Sequence, residues 1–457
     1  MVVLGARPLS VEEVVAVARH GEEVSVDPST PASMAPALEV VEQAVAAART
    51  VYGVTTGFGA LAHTRVPPEE AEAVQRALVL SHSSGMGSLV EAEVVRAMQV
   101  LRARTLAAGH SGVRPRLVEA IVDLLNAGVV PAVPEVGSLG ASGDLAPLAH
   151  AAIVLTGGGW VLGPDGAPEE AGPALAKAGV SPVVLRAKEG LALLNGTEGM
   201  LAHLCLALAD LGVTLATADV TCAMSVEALL GTDTAYAERL QALRPHPGQR
   251  ASAANLRRLL AGSPLVASHR ESSHAVQDAY SLRCAPQVHG AARDTLAHVR
   301  QVVDRELASV TDNPVVFAED AEVVSGGNFH GQPLAHVADF AAVALAGLGA
   351  VVERRIDRLM DPARSEGLPP FLAVAAGTNS GFMLAHYTAA ALVNRLRGHA
   401  GPSSIDSIST SGGQEDHVSM GWNACRSLRL AVTDLTRVVA LELVCAAEAV
   451  ELRAEQP

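Results

Sequence analysis

Aromatic residues are scarce in this chain. Tyr, Phe and Trp together make up 3% of 457 residues, against 49% for hydrophobic residues of all kinds. The apolar mass is therefore mainly Ala, Val and Leu, which favours closely packed helices. Cysteine is also scarce: Cys205, Cys222, Cys284, Cys425 and Cys445 are scattered, odd in number and without a CxxC pair. That pattern excludes a disulfide framework or a zinc-binding cysteine set and fits a reduced, intracellular chain. There is no basic run, and a net charge of −15 argues against nucleic acid or an anionic membrane as partner. The opening MVVLGARPLSVEEV lacks the charged start and apolar core of a signal peptide, so a cytoplasmic location is expected. The histidines are spread without HExxH or comparable spacing, so no metal is expected. Two stretches free of charge, 371–394 and 145–163, are interrupted by polar residues, proline or glycine and read as buried helix, not as membrane spans.

What remains is a long, helix-forming chain. At ~100–200 residues per domain, it calls for two or three domains or one large helical body with lobes. The expected fold is mainly α: a long-helix bundle over 196–457 and a smaller N-terminal lobe over 1–195 carrying catalytic loops and minor β-hairpins. Ser10 and Glu13 form a capping box that opens a helix to His20. Further helices are expected at 35–50, 68–81, 91–108 and 115–126. The helix expected at 197–230 is apolar nearly all round, which marks a buried helix. PHPG at 245–248 reads as a turn before a helix at 251–262. Ala292, Leu296, Val299, Val303 and Leu307 recur at helical steps. Helices are expected again at 333–358, 381–397 and 422–452, and small hairpins near 160–166 and 315–324.

The candidate chemistry lies in the glycine-rich breaks between these helices. The most distinctive is GSLGASGDLAPLAH, residues 137–150. Read alone, Ala141-Ser142-Gly143 is a turn, since glycine accepts positive φ and close backbone approach. A second reading is chemical. If the loop is held tightly, the Gly143 amide nitrogen can attack the Ala141 carbonyl carbon, and loss of water closes a five-membered ring. Loss of the Ser142 hydroxyl as a second water leaves a conjugated exocyclic methylene, a strong electrophile. The loop Tyr52-Gly53-Val54-Thr55-Thr56-Gly57-Phe58-Gly59 reads either as a lid carrying one tyrosine or as a packed surface loop.

Taken together, the breaks resemble the aromatic amino-acid ammonia-lyases. Gly137–Asp144 resembles the segment that forms their methylidene-imidazolone cofactor. Tyr52–Gly59, Ser81-His82, Leu194–Thr197, Gln277 with Tyr280–Arg283, Gly326–His330 and Gln414–His417 follow in the family's order. Ser81-His82, PHPGQ at 245–249 and QEDHVSM at 414–420 are most similar to the branch that acts on histidine. The resemblance implies elimination of ammonia from L-histidine to give trans-urocanate, with no metal or diffusible cofactor. It also implies a homotetramer with shared active sites.

It further implies a role for each matching residue. The electrophile comes from Ala141, Ser142 and Gly143, with Asp144 assisting. Tyr52 is the base for the β-proton, and Arg283 pairs with the substrate carboxylate. Asn195 and Tyr280 support the ring and reacting groups, Phe329 packs beside the ring, and Gln277 belongs to the substrate site. His82 and Glu415 select the imidazole, because a buried acid facing a phenyl ring would be costly. Tyrosine or phenylalanine ammonia-lyase and 2,3-aminomutase activity are the alternatives within the enzymes. Serine hydrolysis fits badly, since Asp144 stands where a nucleophile elbow needs glycine. A helical scaffold with no catalysis is the remaining alternative. Glu198, Ala279 and His289 depart from the family pattern, where glutamine, proline and a less polar residue are usual.

Overall fold

The computed structural model describes residues 1–59, 64–271 and 276–454. Among them the chain is mainly helical, with four two-stranded sheets. The mainly α expectation is borne out. Contacts divide the chain into two compact units: residues 1–206, 301–336 and 403–426 form one, and 207–300, 337–402 and 427–457 the other. The expected 1–195 lobe thus falls within the first unit, but two later segments return to it.

In the first unit, helix Val11–His20 starts on the expected capping box: the Glu13 N–H donates to Ser10 Oγ (3.1 Å) and the Ser10 N–H to Glu13 Oε2 (2.9 Å). It stops at Gly21, whose φ of 64° suits glycine. Helix Ala92–Ala107 packs between it and helix Pro115–Asn126. The central helix is buried on almost every side, through Val94, Val95, Met98, Leu101 and Leu106. Each such Val or Leu contributes roughly 1.5–3 kcal/mol of burial. A parallel pair, Val2–Leu4 with Val24–Val26, was not legible in the sequence because three-residue strands carry no usable period. Asn126 ties that pair to its helix, donating to Val24 O (2.8 Å) and accepting from Val24 N (2.9 Å). The expected hairpins are Trp160–Leu162 with Pro168–Glu170, and Val315–Phe317 with Glu322–Val324.

The second unit is built on a cluster including Cys222, Val226, Tyr236, Leu256, Leu282, Ile356, Leu359 and Ala446. Within it Arg355 is fully buried and paired with Glu442, which also accepts from Thr221 and Ser225. PHPG is not simply a turn: Pro247 occupies the first position of helix Pro247–Leu259, where its missing N–H costs nothing. Gly248 lies inside that helix, at a point where a Cβ would stand 2.3 Å from Gly290 O. Its glycine serves close packing against helix Ala285–Leu307.

Helix Thr30–Ala46 begins earlier than expected, since Pro31 falls in its first turn and Pro36 lies inside it. Of the two stretches free of charge, 145–163 yields only the short helix Leu145–Leu155, and 371–394 is broken before helix Met383–His399. Two other described helices, Glu198–Ala228 and Gln332–Met360, are long and apolar enough to cross a membrane. Their apolar windows are 67% and 56% buried within the chain, as in packed core helices.

Candidate active site

The 137–144 loop is gripped along its length within the first unit. The Met420 N–H donates to Leu139 O (2.8 Å), and the Gly331 N–H (3.0 Å) and Ser419 Oγ (2.9 Å) both donate to Gly140 O. The Asp144 N–H donates to Gly196 O at 2.7 Å. Gly143 adopts φ +76°, and a Cβ on it would stand 2.1 Å from Gly196 O. Only glycine at 143 permits both the conformation and the approach.

Gly196 is fixed in turn. Arg102 Nη1 donates to Asn195 O (2.9 Å) and to Glu198 Oε1 (2.9 Å), and Thr105 Oγ1 donates to Glu198 Oε1 (2.8 Å). Glu198, one of the departures from the family pattern, is thus the buried counter-ion of Arg102. Nearby, Thr197 Oγ1 donates to Glu306 Oε1, and burial raises the Glu306 carboxyl above the ordinary range.

Asp144 is fully buried, and desolvation pushes its carboxyl up to about 7. The Met200 N–H (2.8 Å) and Ser138 Oγ (3.0 Å) oppose that rise by donating to it. Asn195 is buried beside this loop, and its Oδ1 has no hydrogen-bond partner among the described residues.

Ala141 and Ser142 open into a cavity of about 380 Å³. Tyr52, Phe329 and Glu415 line the same cavity, so five of the expected site residues meet there. Ser142 Oγ donates to Glu415 Oε1 at 2.8 Å, and Thr410 Oγ1 donates to Glu415 Oε2 at 3.1 Å. The Tyr52 hydroxyl accepts from the Gly59 N–H at 3.2 Å. Gly53 bends that loop at φ +66°, where a Cβ would strike Leu191.

Other expected residues lie elsewhere. His82 ends helix Ala71–His82, with Nδ1 turned back to Leu78 O (2.9 Å), and is not among the cavity-lining residues. Gln277, Tyr280 and Arg283 belong to the second unit. There the Arg283 guanidinium lies over the Tyr280 ring at 4.4 Å, and Arg283 Nε is buried without a partner among the described residues. His289, another departure, is buried and hydrogen-bonded through Nδ1 to Asp219 (2.8 Å). Burial drives its pKa down, favouring the neutral imidazole, while Asp219 pulls the other way.

Sequence reasoning gave no role to several residues in or beside the cavity, although His330 and His417 end two of the motifs it used. Asn313 lines the cavity, and its Oδ1 accepts from the Gly326 N–H at 2.8 Å. Asp312, beside it, holds the fully buried Lys188 at 2.6 Å. His330 and His417 stack with ring centroids 5.6 Å apart and also line the cavity. The run Thr311-Asp312-Asn313-Pro314 was the available signal for Asn313, but Lys188, the partner of Asp312, is far away in the chain.

Residues 9–457 match the family described as aromatic amino acid lyase, and the chain belongs to that family. It is 55% identical to histidine ammonia-lyase of Streptomyces avermitilis over 452 residues, covering 99% of this chain and 88% of that protein. Among solved structures it is similar to histidine ammonia-lyase from Trypanosoma cruzi, with TM-score 0.91 and 40% identity over 100% of this chain and 86% of that one. It is also similar to tyrosine aminomutase from Streptomyces globisporus, with TM-score 0.93 and 39% identity over 99% and 89% of the two chains.

Proposed function

We propose that the chain eliminates ammonia from L-histidine to give trans-urocanate. The observation that carries this reading is the opening of Ala141 and Ser142 into one cavity with Tyr52 and Glu415. The high identity to a histidine ammonia-lyase over nearly the whole chain favours histidine as substrate.

The tripeptide 141–143 fits the role of ring precursor. Gly143 is pressed on Gly196, and Asn195 Oδ1, without a partner among the described residues, is a polar atom with capacity to spare beside it. Once formed, the methylidene-imidazolone supplies an electrophile for the substrate amine and makes it a better leaving group. Asp144, with its carboxyl at about 7, can hold or release a proton near neutral pH during ring closure.

Tyr52 is assigned as the base for the β-proton. A free phenol has a pKa of ~10, so it needs local support to act as phenolate. Phe329 supplies an apolar wall. Glu415 is assigned to the imidazole, and His82 would present Nε2 to it, since Nδ1 is engaged with Leu78 O. Arg283 is assigned to the substrate carboxylate, for which a guanidinium offers two parallel donors. Gln277 and Tyr280 are assigned to the substrate site with it. We further assign a homotetramer with shared active sites and a cytoplasmic location.

The likeness to a tyrosine aminomutase keeps tyrosine as a second substrate to test. The assay offers histidine, tyrosine and phenylalanine separately and identifies the products. Turnover of tyrosine with histidine untouched would overturn the assignment of Glu415 and His82.

A further inference from the structure

Ser142 must lose its hydroxyl if it is a ring precursor, and in this structure that hydroxyl is hydrogen-bonded to a carboxyl group. We propose that Glu415 is the acid that removes the Ser142 hydroxyl during maturation, before it serves the substrate. The inference rests on the ring-precursor reading of residues 141–143.

The geometry sets Glu415 apart from the other acid of the loop. Its Oε1 is 2.8 Å from Ser142 Oγ, while Oε2 is anchored by Thr410 Oγ1. The Thr410 and Glu415 backbones are bonded to each other as well, the Thr410 N–H donating to Glu415 O at 2.8 Å. One oxygen is therefore fixed and the other is aimed at the leaving group. Asp144 has both oxygens occupied, accepting from the Met200 N–H and from Ser138 Oγ.

The steps balance with water as the only product. As Gly143 N bonds to the Ala141 carbonyl carbon, the Ala141 oxygen leaves with the Gly143 and Ser142 amide hydrogens, and a C=N bond forms. In the second loss, Glu415 in its acid form gives its proton to Ser142 Oγ. The Cβ–Oγ bond breaks, and Oγ leaves with that proton and its own hydrogen. The Cα proton passes to solvent, and its electron pair becomes the Cα=Cβ bond. Solvent then reprotonates the half-buried carboxylate. A carboxyl can accept from a hydroxyl when ionised and donate to it when protonated, at about the same separation.

A consequence is order. While Ser142 keeps its hydroxyl, Oε1 is engaged. Once the hydroxyl has left as water, the carboxyl group is released to the cavity.

The test is intact mass and peptide mapping of 141–143, followed in time after folding, on the full chain and on Glu415→Gln. Glutamine accepts the same hydrogen bond but cannot deliver the proton. The wild-type chain is expected to lack two waters. Glu415→Gln is expected to lack one, or to lose the second ~100-fold more slowly. Thr410→Val keeps the acid but loses its anchor, and should slow the second loss by about 10-fold. Circular dichroism establishes that each variant is folded, and Thr410→Val carries the test if Glu415→Gln is not. Loss of both waters at the wild-type rate in the folded variants overturns the proposal, and so does loss of neither in Glu415→Gln. A wild-type chain that loses no water overturns the ring-precursor reading itself, a result distinct from either.

Discussion

Gly143 and Gly196 meet backbone to backbone: a Cβ built on Gly143 would stand 2.1 Å from the Gly196 carbonyl oxygen and 2.8 Å from its nitrogen. This contact clamps the third residue of Ala-Ser-Gly against a second loop, itself fixed by Arg102 and Glu198. It turns a tripeptide with the composition of an ordinary turn into a compressed one.

Gly143→Ala should therefore fail twice. The added methyl meets backbone that cannot yield, and the φ of +76° is strained for alanine. We expect a loss of stability on the order of 1–3 kcal/mol or more, read as a lower urea midpoint. The two-water mass deficit should disappear. A variant that retains the deficit would show that compression at this contact is not required.

The Arg102–Glu198 pair makes a separate prediction. Both side chains are 3% exposed, so removing either partner strands a buried charge or polar group. Glu198→Gln, although it restores the residue usual in the family, should destabilise by about 3–5 kcal/mol. Combining it with Arg102→Met should recover much of that loss. Denaturant melts of the two single variants and the double variant measure the coupling, and additive losses would contradict the ion-pair account.

Legibility followed the range of the interactions. Helix Pro115–Asn126 and the bulk of Glu198–Ala228 were readable because apolar content along a short stretch is a local signal. The Tyr52 loop, the Ala-Ser-Gly loop and the Glu415 segment were readable as breaks in that pattern, and their order gave the family. The Ser142–Glu415 bond spans 273 positions, Lys188–Asp312 spans 124 and Arg102–Glu198 spans 96. No periodicity announces such pairings. Gly248 was misread as turn-forming because the backbone it must approach lies in another helix, around Gly290.

Asp144 predicts a pH dependence of stability. Its carboxyl is at about 7 in the folded chain, against ~3.9 for an unperturbed aspartate. Between these values the native state holds a proton that the unfolded state has released. Its contribution is therefore complete below about pH 4 and is lost as pH rises through about 7. The full span is on the order of 4 kcal/mol. Asp144→Asn should flatten this part of the stability–pH curve. An unchanged curve in the variant would contradict the assignment.

Tyr52→Phe should separate maturation from catalysis. Among the described residues the Tyr52 hydroxyl accepts from the Gly59 N–H and makes no hydrogen bond to the Ala-Ser-Gly loop. The variant should therefore keep the two-water deficit while kcat falls by ~10²–10⁴-fold. A variant with near-normal kcat would remove Tyr52 from the role of base.

The central claim is that this chain converts histidine with an electrophile made from Ala141, Ser142 and Gly143. Urocanate appearance from L-histidine, measured for the wild-type chain beside Ser142→Ala, tests it most directly. The account predicts turnover in the wild type and its near-complete loss in Ser142→Ala. A wild-type chain that forms no urocanate, or a Ser142→Ala variant that turns over at the wild-type rate, would contradict it.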